Sequence, residues 1–150
     1  MLHKLELIQE ADRAFQSGNY NLARQLYNQL VAVEEDNDEF LMRRGYCFRV
    51  GREYEKALND YNRAIKLSPK THNYYSNRAE LYYYLDQYSN ALQDIQSAIT
   101  LFGEGNGKYH YNKGMIHLKL DQNEEACSEF KYASTLESSA ATRQIEIHCQ

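Results

Sequence analysis

The chain has 150 residues, a net charge of −4 and a charged fraction of 25%, with 14 Tyr and no Trp. That balance argues against general binding to nucleic acid or an anionic membrane surface. No run approaches the ~18 apolar residues of a membrane span, and acidic residues come too early for a secretory signal.

The first helix is expected over residues 4–16, with Leu7, Ala11, Ala14 and Phe15 inward. Ser17, Gly18 and Asn19 form a turn, and Asn19 is the expected N-cap of a second helix, 20–34. The acidic stretch Glu34–Asp38 reads as a solvated turn that leaves Asp38 near a helix N-terminus. Residues 38–71 then read as two amphipathic helices. Leu41, Gly45 and Phe48 share one face of the first; Ala57, Tyr61, Ala64 and Leu67 share one face of the second. Small residues on these faces let the helices approach while Phe48 and Tyr61 fill the space alongside. Gly51 is expected to supply the backbone angles of the reversal, and Pro69 ends the pair.

Two further helices are expected from His72 to about Leu85 and from Tyr88 to about Leu101. Residues 102–107 hold three glycines at alternate positions. A phosphate loop would follow a strand, and no strand pattern precedes this segment, so it reads as a flexible connection. Residues 107–138 give another helix pair, in which His110 and His117 lie seven apart on one face. A metal site needs three or four converging ligands; Cys127 offers a third and nothing a fourth, so partly buried structural histidines and no metal are expected. Ser138 and Ser139 cap a last segment, 139–149, helical from 140, with Ala141, Ile145 and His148 or Cys149 inward and Ile147 outside. The three cysteines, Cys47, Cys127 and Cys149, form no CxxC. The simple reading is free thiols in a reducing, cytoplasmic compartment, with Cys47 and Cys127 packed as small hydrophobes.

The helix pairs repeat. Ala23, Ala57 and Ala91 are spaced by 34 residues, and Ala126 follows after 35. The same spacing aligns Ala11, Gly45, Ala79 and Gly114; Tyr20, Tyr54, Tyr88 and Asn123; Tyr27, Tyr61, Ile95 and Phe130; Leu30, Ala64, Ala98 and Ala133; and Val33, Leu67, Leu101 and Leu136. This period, with its small–aromatic–small columns, resembles the tetratricopeptide repeat (TPR). The resemblance spans about residues 4–138 and implies an all-α solenoid of four repeats (4–37, 38–71, 72–106 and 107–138) in a single domain, closed by a capping helix at 139–149. The first copy departs from the pattern at Leu30 and Glu35, as end repeats do.

No nucleophile with an identifiable base stands out, and a thin helical array rarely closes a dry pocket, so no enzyme activity and no cofactor are expected. The resemblance implies a concave face lined by the first helix of each pair. From the first copy that gives Ile8, Gln9, Asp12 and Phe15, and from the second Glu39, Met42, Arg43, Tyr46 and Arg49. The third adds Asn73, Ser76, Asn77, Glu80, Tyr83 and Tyr84, and the fourth Lys108, Tyr111, Asn112, Met115 and Lys119. These residues lie off the packing columns. Tyr, Arg and Met are side chains that tend to dominate protein interfaces, although any single Tyr could instead pack along a helix flank. Four basic against three acidic side chains in this set hint at a ligand with modest negative charge. The clamp by which some TPR domains hold the C-terminal carboxylate of heat-shock chaperones fits poorly. Asn77 and Lys108 match it, whereas Met42, Tyr46 and Asn112 do not. TPR chaperones of bacterial secretion systems are similar in size, but no segment singles them out. The function expected is a non-catalytic protein-interaction module, scaffold or co-chaperone-like adaptor, holding an extended peptide or a partner helix in its groove. The alternatives are a self-associating homo-oligomer and, against the acidic balance, a helical-repeat RNA binder.

Overall fold

A computed structural model describes residues 2–149. Among them are nine helices and no strand: α1 (Leu2–Gln16), α2 (Tyr20–Val33), α3 (Asp38–Val50), α4 (Tyr54–Leu67), α5 (His72–Tyr84), α6 (Tyr88–Phe102), α7 (Gly107–Lys119), α8 (Asn123–Thr135) and α9 (Ser139–His148). The chain divides between Lys70 and Thr71 into two compact units. In the first unit each of α1 to α4 packs on the next; in the second the same holds from α5 to α9.

Helix starts follow local chemistry. Asn19, Asn37, Asn106 and Ser138 precede α2, α3, α7 and α9, and each side chain accepts a hydrogen bond from a first-turn N–H: Leu22, Phe40, Tyr109 and Ala141 respectively. The reversals differ from expectation in one detail. Gly51 has an ordinary φ of −76°. The left-handed residue is the next one, Arg52 (φ 61°), and its counterparts Gly18, Asp86 and Asp121 do the same in the other pairs. A left-handed residue just past the helix end is the usual way to turn the chain, and only the first pair spends a glycine on it.

The small columns pack as their periodicity implies. Ala11, Ala23, Ala57, Ala64, Ala91, Ala98, Ala126 and Ala133 are all inaccessible, as are Tyr27, Tyr61, Ile95 and Phe130. A methyl added at Gly45 would lie 2.7 Å from Tyr61 Cε1, and one added at Gly114 would lie 2.5 Å from Phe130 Cε1. These glycines are the seats of the facing rings. One column differs from expectation. Val33, Leu67 and Leu101 are exposed, whereas Val31, Ile65 and Ile99, two residues earlier, are buried. The second helix of each pair ends at or just beyond the exposed position, where the helix has passed the surface it packs on.

A polar fastening also recurs. The Arg44 guanidinium donates to both oxygens of Asp60 at 2.7 Å, and Arg78 donates to Asp94 at 2.6 and 2.8 Å. Lys113 pairs with Glu129 at 2.5 Å in the fourth copy. Each pair joins the two helices of one repeat, and the acid is buried in the two Arg cases. Such bidentate pairing offsets the cost of burying the carboxylate. The first copy has Glu10 and Leu26 at these positions and instead joins its helices by a hydrogen bond from Tyr27 to Asp12 at 2.6 Å.

Cys127 is not a free thiol. It is joined to Cys149, with Cα atoms 5.6 Å apart. Cys47 alone is free; it is buried, and burial pushes its thiol pKa up to about 12. With one pair joined, the cysteine count no longer argues for a reducing compartment. The bond lies where α9 covers α8: Ala141 is inaccessible beside Ala126, Phe130 and Ala133, and Ile145 packs against them. Ile147 is exposed, as expected. Among the described residues no helix is long and apolar enough to cross a membrane.

Candidate functional site

The candidate residues separate by unit. In the second unit, α5 contributes Glu80, Tyr83 and Tyr84, and α7 contributes Tyr111, Asn112 and Met115, all to one cavity of about 180 Å³. Ala79 and Ile116 form the rest of its lining. The sequence brings them there by helical spacing. Glu80 and Tyr84 stand four apart on α5, as Tyr111 and Met115 do on α7, and the small Ala79 and Gly114 keep the helices close to their partners. Tyr83 packs against the core around Ala91 and Ile95, and its ring meets those of Tyr84 at 6.3 Å and Tyr88 at 5.7 Å, edge to face. Tyr111 leans on Phe130 at 6.0 Å, and both Tyr111 and Met115 touch the cluster that α9 completes. Tyr84 is 56% exposed and forms the rim. Burial, then the neighbouring Tyr111, Tyr84 and Asp86, raise the pKa of Tyr83. Asn73, Asn77 and Lys108 from the expected list do not line this cavity.

In the first unit, Arg43, Tyr46 and Arg49 meet Phe15 and Tyr20. Tyr46 lies 5.2 Å from Phe15 and 5.4 Å from Tyr20. Arg49 stacks over Tyr46 at 4.6 Å and Arg43 over Phe15 at 5.5 Å. Arg43 also pairs with Glu39 at 2.7 Å and Asp12 at 3.4 Å. Its burial opposes the charge, but Glu39, Tyr27 and Asp12 outweigh it and the pKa is raised. Met42, expected on the surface of this face, is 5% exposed and belongs to the core. It lies one residue past Leu41 on α3, a helix packed between α2 and α4, and both side chains are buried.

No group of three or more His, Cys, Asp or Glu among the described residues is placed to hold a metal ion. His110 is buried with Nδ1 2.7 Å from Glu129, and His117 is buried with Nδ1 2.7 Å from Gln122. Cys127 is committed to Cys149 and supplies no third ligand.

Comparisons with known proteins agree with this fold. Tetratricopeptide repeat models match residues 8–71 and 107–139. The TPR domain of Arabidopsis OM64 is 30% identical, and the match covers 70% of this chain and 88% of that one, with a TM-score of 0.66. The chain belongs to the tetratricopeptide repeat family. Its fold is the all-α TPR solenoid, and as a TPR protein it is a protein-interaction module. MamA from Desulfovibrio magneticus, 16% identical, shares the fold with a TM-score of 0.81 over 89% of this chain and 75% of its own. Human DnaJ homolog subfamily C member 7 is 32% identical over 108 residues, 72% of this chain and 22% of that protein. The chain thus spans about a fifth of the length of this relative.

Proposed function

We propose that this TPR protein is a non-catalytic adaptor that binds an extended peptide or a partner helix of another protein, and that the α5/α7 cavity takes an anchoring side chain of that segment. One observation supports the reading above the others: six of the expected lining residues share one partly open cavity. Tyrosine rings offer large contact area at low entropic cost, and Met115 adapts to the shape of what it meets. The cluster of Arg43, Tyr46 and Arg49 in the first unit is a second, separate contact patch of the same kind. Affinity capture followed by mass spectrometry identifies the partner. Calorimetry on Tyr83→Ala and Arg43→Ala variants then tests the assignment. Loss of a central aromatic anchor is expected to weaken binding by roughly thirtyfold or more, the effect of a ~2 kcal/mol hot spot. Wild-type affinity in the double variant would refute it.

A further inference from the structure

The bond between Cys127 and Cys149 closes the end of the second unit, and its neighbours reach the cavity. Tyr111 and Met115, four residues apart on α7, line the α5/α7 cavity. The same two side chains pack against the cluster of Ala126, Phe130, Ala133 and Ala141, which Ile145 and Cys149 also join. One wall of the cavity is thus backed by α9 and its cap. Without the bond α9 is poorly held. It has ten residues, fewer than the ~12–15 below which a helix is marginal on its own. Ala141 is its single buried side chain, and Ile145 is half-buried. The contacts beneath α9 do not depend on it. Phe130 seats on Gly114, and Lys113 pairs with Glu129 at 2.5 Å, so α7 and α8 stay joined when α9 leaves. Both bonded cysteines are half-buried and open to a small thiol, whereas the free Cys47 is buried in the other unit.

We infer that the Cys127–Cys149 bond is a redox latch for the α5/α7 cavity. Joined, it holds α9 on α8 and the cavity keeps its shape. Reduced, α9 detaches, Tyr111 and Met115 lose their backing, and the cavity loses its grip on the anchoring side chain of the partner. The reductant is a dithiol. Its thiolate attacks one sulfur of the bond and forms a mixed disulfide, while the other cysteine leaves as a thiolate and takes up a proton. The second thiol of the reductant then closes its own disulfide and releases the first cysteine. Two electrons and two protons pass to the protein, which is left with two thiols, and the reductant departs oxidised. The inference rests on the groove reading and adds its regulation. Reduction and binding are then coupled in both directions. If reduction weakens partner binding roughly tenfold, saturating partner makes the bond harder to reduce by the same factor, about 30 mV for this two-electron couple.

The test equilibrates the full chain in mixtures of reduced and oxidised dithiothreitol. Thiol alkylation and mass spectrometry give the fraction of Cys127 and Cys149 reduced. In the same samples NMR follows the Met115 methyl and the Tyr111 ring, with the methyls of Ile99, buried between α5 and α6, as reference. The Met115 and Tyr111 signals are expected to move with the midpoint of reduction, and those of Ile99 to stay. Calorimetry with the captured partner should then show roughly tenfold weaker binding to the reduced chain, within the usual range of coupling between sites. The double variant Cys127→Ser with Cys149→Ser should bind as the reduced chain does and ignore dithiothreitol. A bond that stays closed in excess dithiothreitol while the chain remains folded would make it a fixed staple and overturn the inference. Met115 and Tyr111 signals that stay in place on reduction would overturn it as well. Both results leave the groove reading standing. Equal partner affinity in the two redox states also overturns the latch, whereas wild-type affinity in Tyr83→Ala counts against the groove reading instead.

Discussion

Replacing Gly45 by alanine probes the packing of the repeat directly. In the interior of a helix the change should stabilise by about 1 kcal/mol, since glycine is the poorer helix former. Here the new methyl would lie 2.7 and 2.8 Å from Tyr61 Cε1 and Cδ1 and 3.2 Å from Asp60 Cβ. Neither neighbour can retreat easily. Tyr61 is inaccessible, and Asp60 is fixed by two hydrogen bonds from Arg44. Overpacking costs typically about 1–3 kcal/mol, and two fixed neighbours this close call for the upper part of that range, about 2–3 kcal/mol, which outweighs the propensity gain. A net loss of about 1–2 kcal/mol is expected, a fall in Tm of roughly 2–8 °C for a chain of this size. Gly51→Ala is the control: its methyl would meet nothing closer than the Cys47 carbonyl at 3.4 Å, and its φ is ordinary. That variant should stay within about 0.5 kcal/mol of wild type. Urea denaturation followed by circular dichroism gives both values. In a double-mutant cycle with Tyr61→Ile, the residue pairing of the third copy (Ala79 with Ile95), Gly45→Ala should cost less than it does alone. If Gly45→Ala is as stable as wild type, or costs the same in both backgrounds, the ring does not sit where the packing argument needs it.

Two further outcomes follow from the polar and covalent fastenings. Asp94→Asn leaves the Arg78 guanidinium without its carboxylate in a site where Asp94 is 5% exposed, and should destabilise by about 2–4 kcal/mol, near the lower end for a broken buried pair because Arg78 reaches partly to solvent; equilibrium unfolding with a loss under 0.5 kcal/mol would contradict this. Cys149→Ser, or a thiol reductant on the wild type, opens a closure across 22 residues that limits the unfolded chain by about 3 kcal/mol. Hydrogen exchange should then accelerate in α9 and leave α5 and α6 unchanged; unaltered protection of residues 139–148 would show that packing of Ala141 and Ile145 suffices alone.

The repeat was legible because its packing residues recur at fixed spacing. Gly45, Tyr61, Ala64 and their counterparts announce themselves by size alone. What was missed needed a partner to be seen. Arg44 and Asp60 lie 16 residues apart, and so do Arg78 with Asp94 and Lys113 with Glu129. The columns were present in the sequence, but charged residues on a helix usually signify solvent, so nothing called for pairing them. Cys127 and Cys149 are 22 residues apart with no motif between them, and only the seating of α9 on α8 brings them together. Leu67 and Val33 read as core because they continue the helical stripe, and periodicity does not report where the neighbouring surface ends. For the site, the family resemblance implied a lining that includes Glu80, Tyr83, Tyr84, Tyr111, Asn112 and Met115 on two first helices, and the structure joins these six in one cavity. Met42 was lost because a residue off the main stripe can still be buried when its helix packs between two others.

The fastening from Arg44 to Asp60, repeated at Arg78 and Asp94, lies wholly inside one helix pair. A gene duplication that copies such a pair copies both halves of the bond together, so the new unit arrives with its helices already held in register. Substituting either half alone is penalised at once, which ties the two positions as they diverge. The first pair, with Glu10 and Leu26 in these places, would pass on a different fastening, the hydrogen bond from Tyr27 to Asp12.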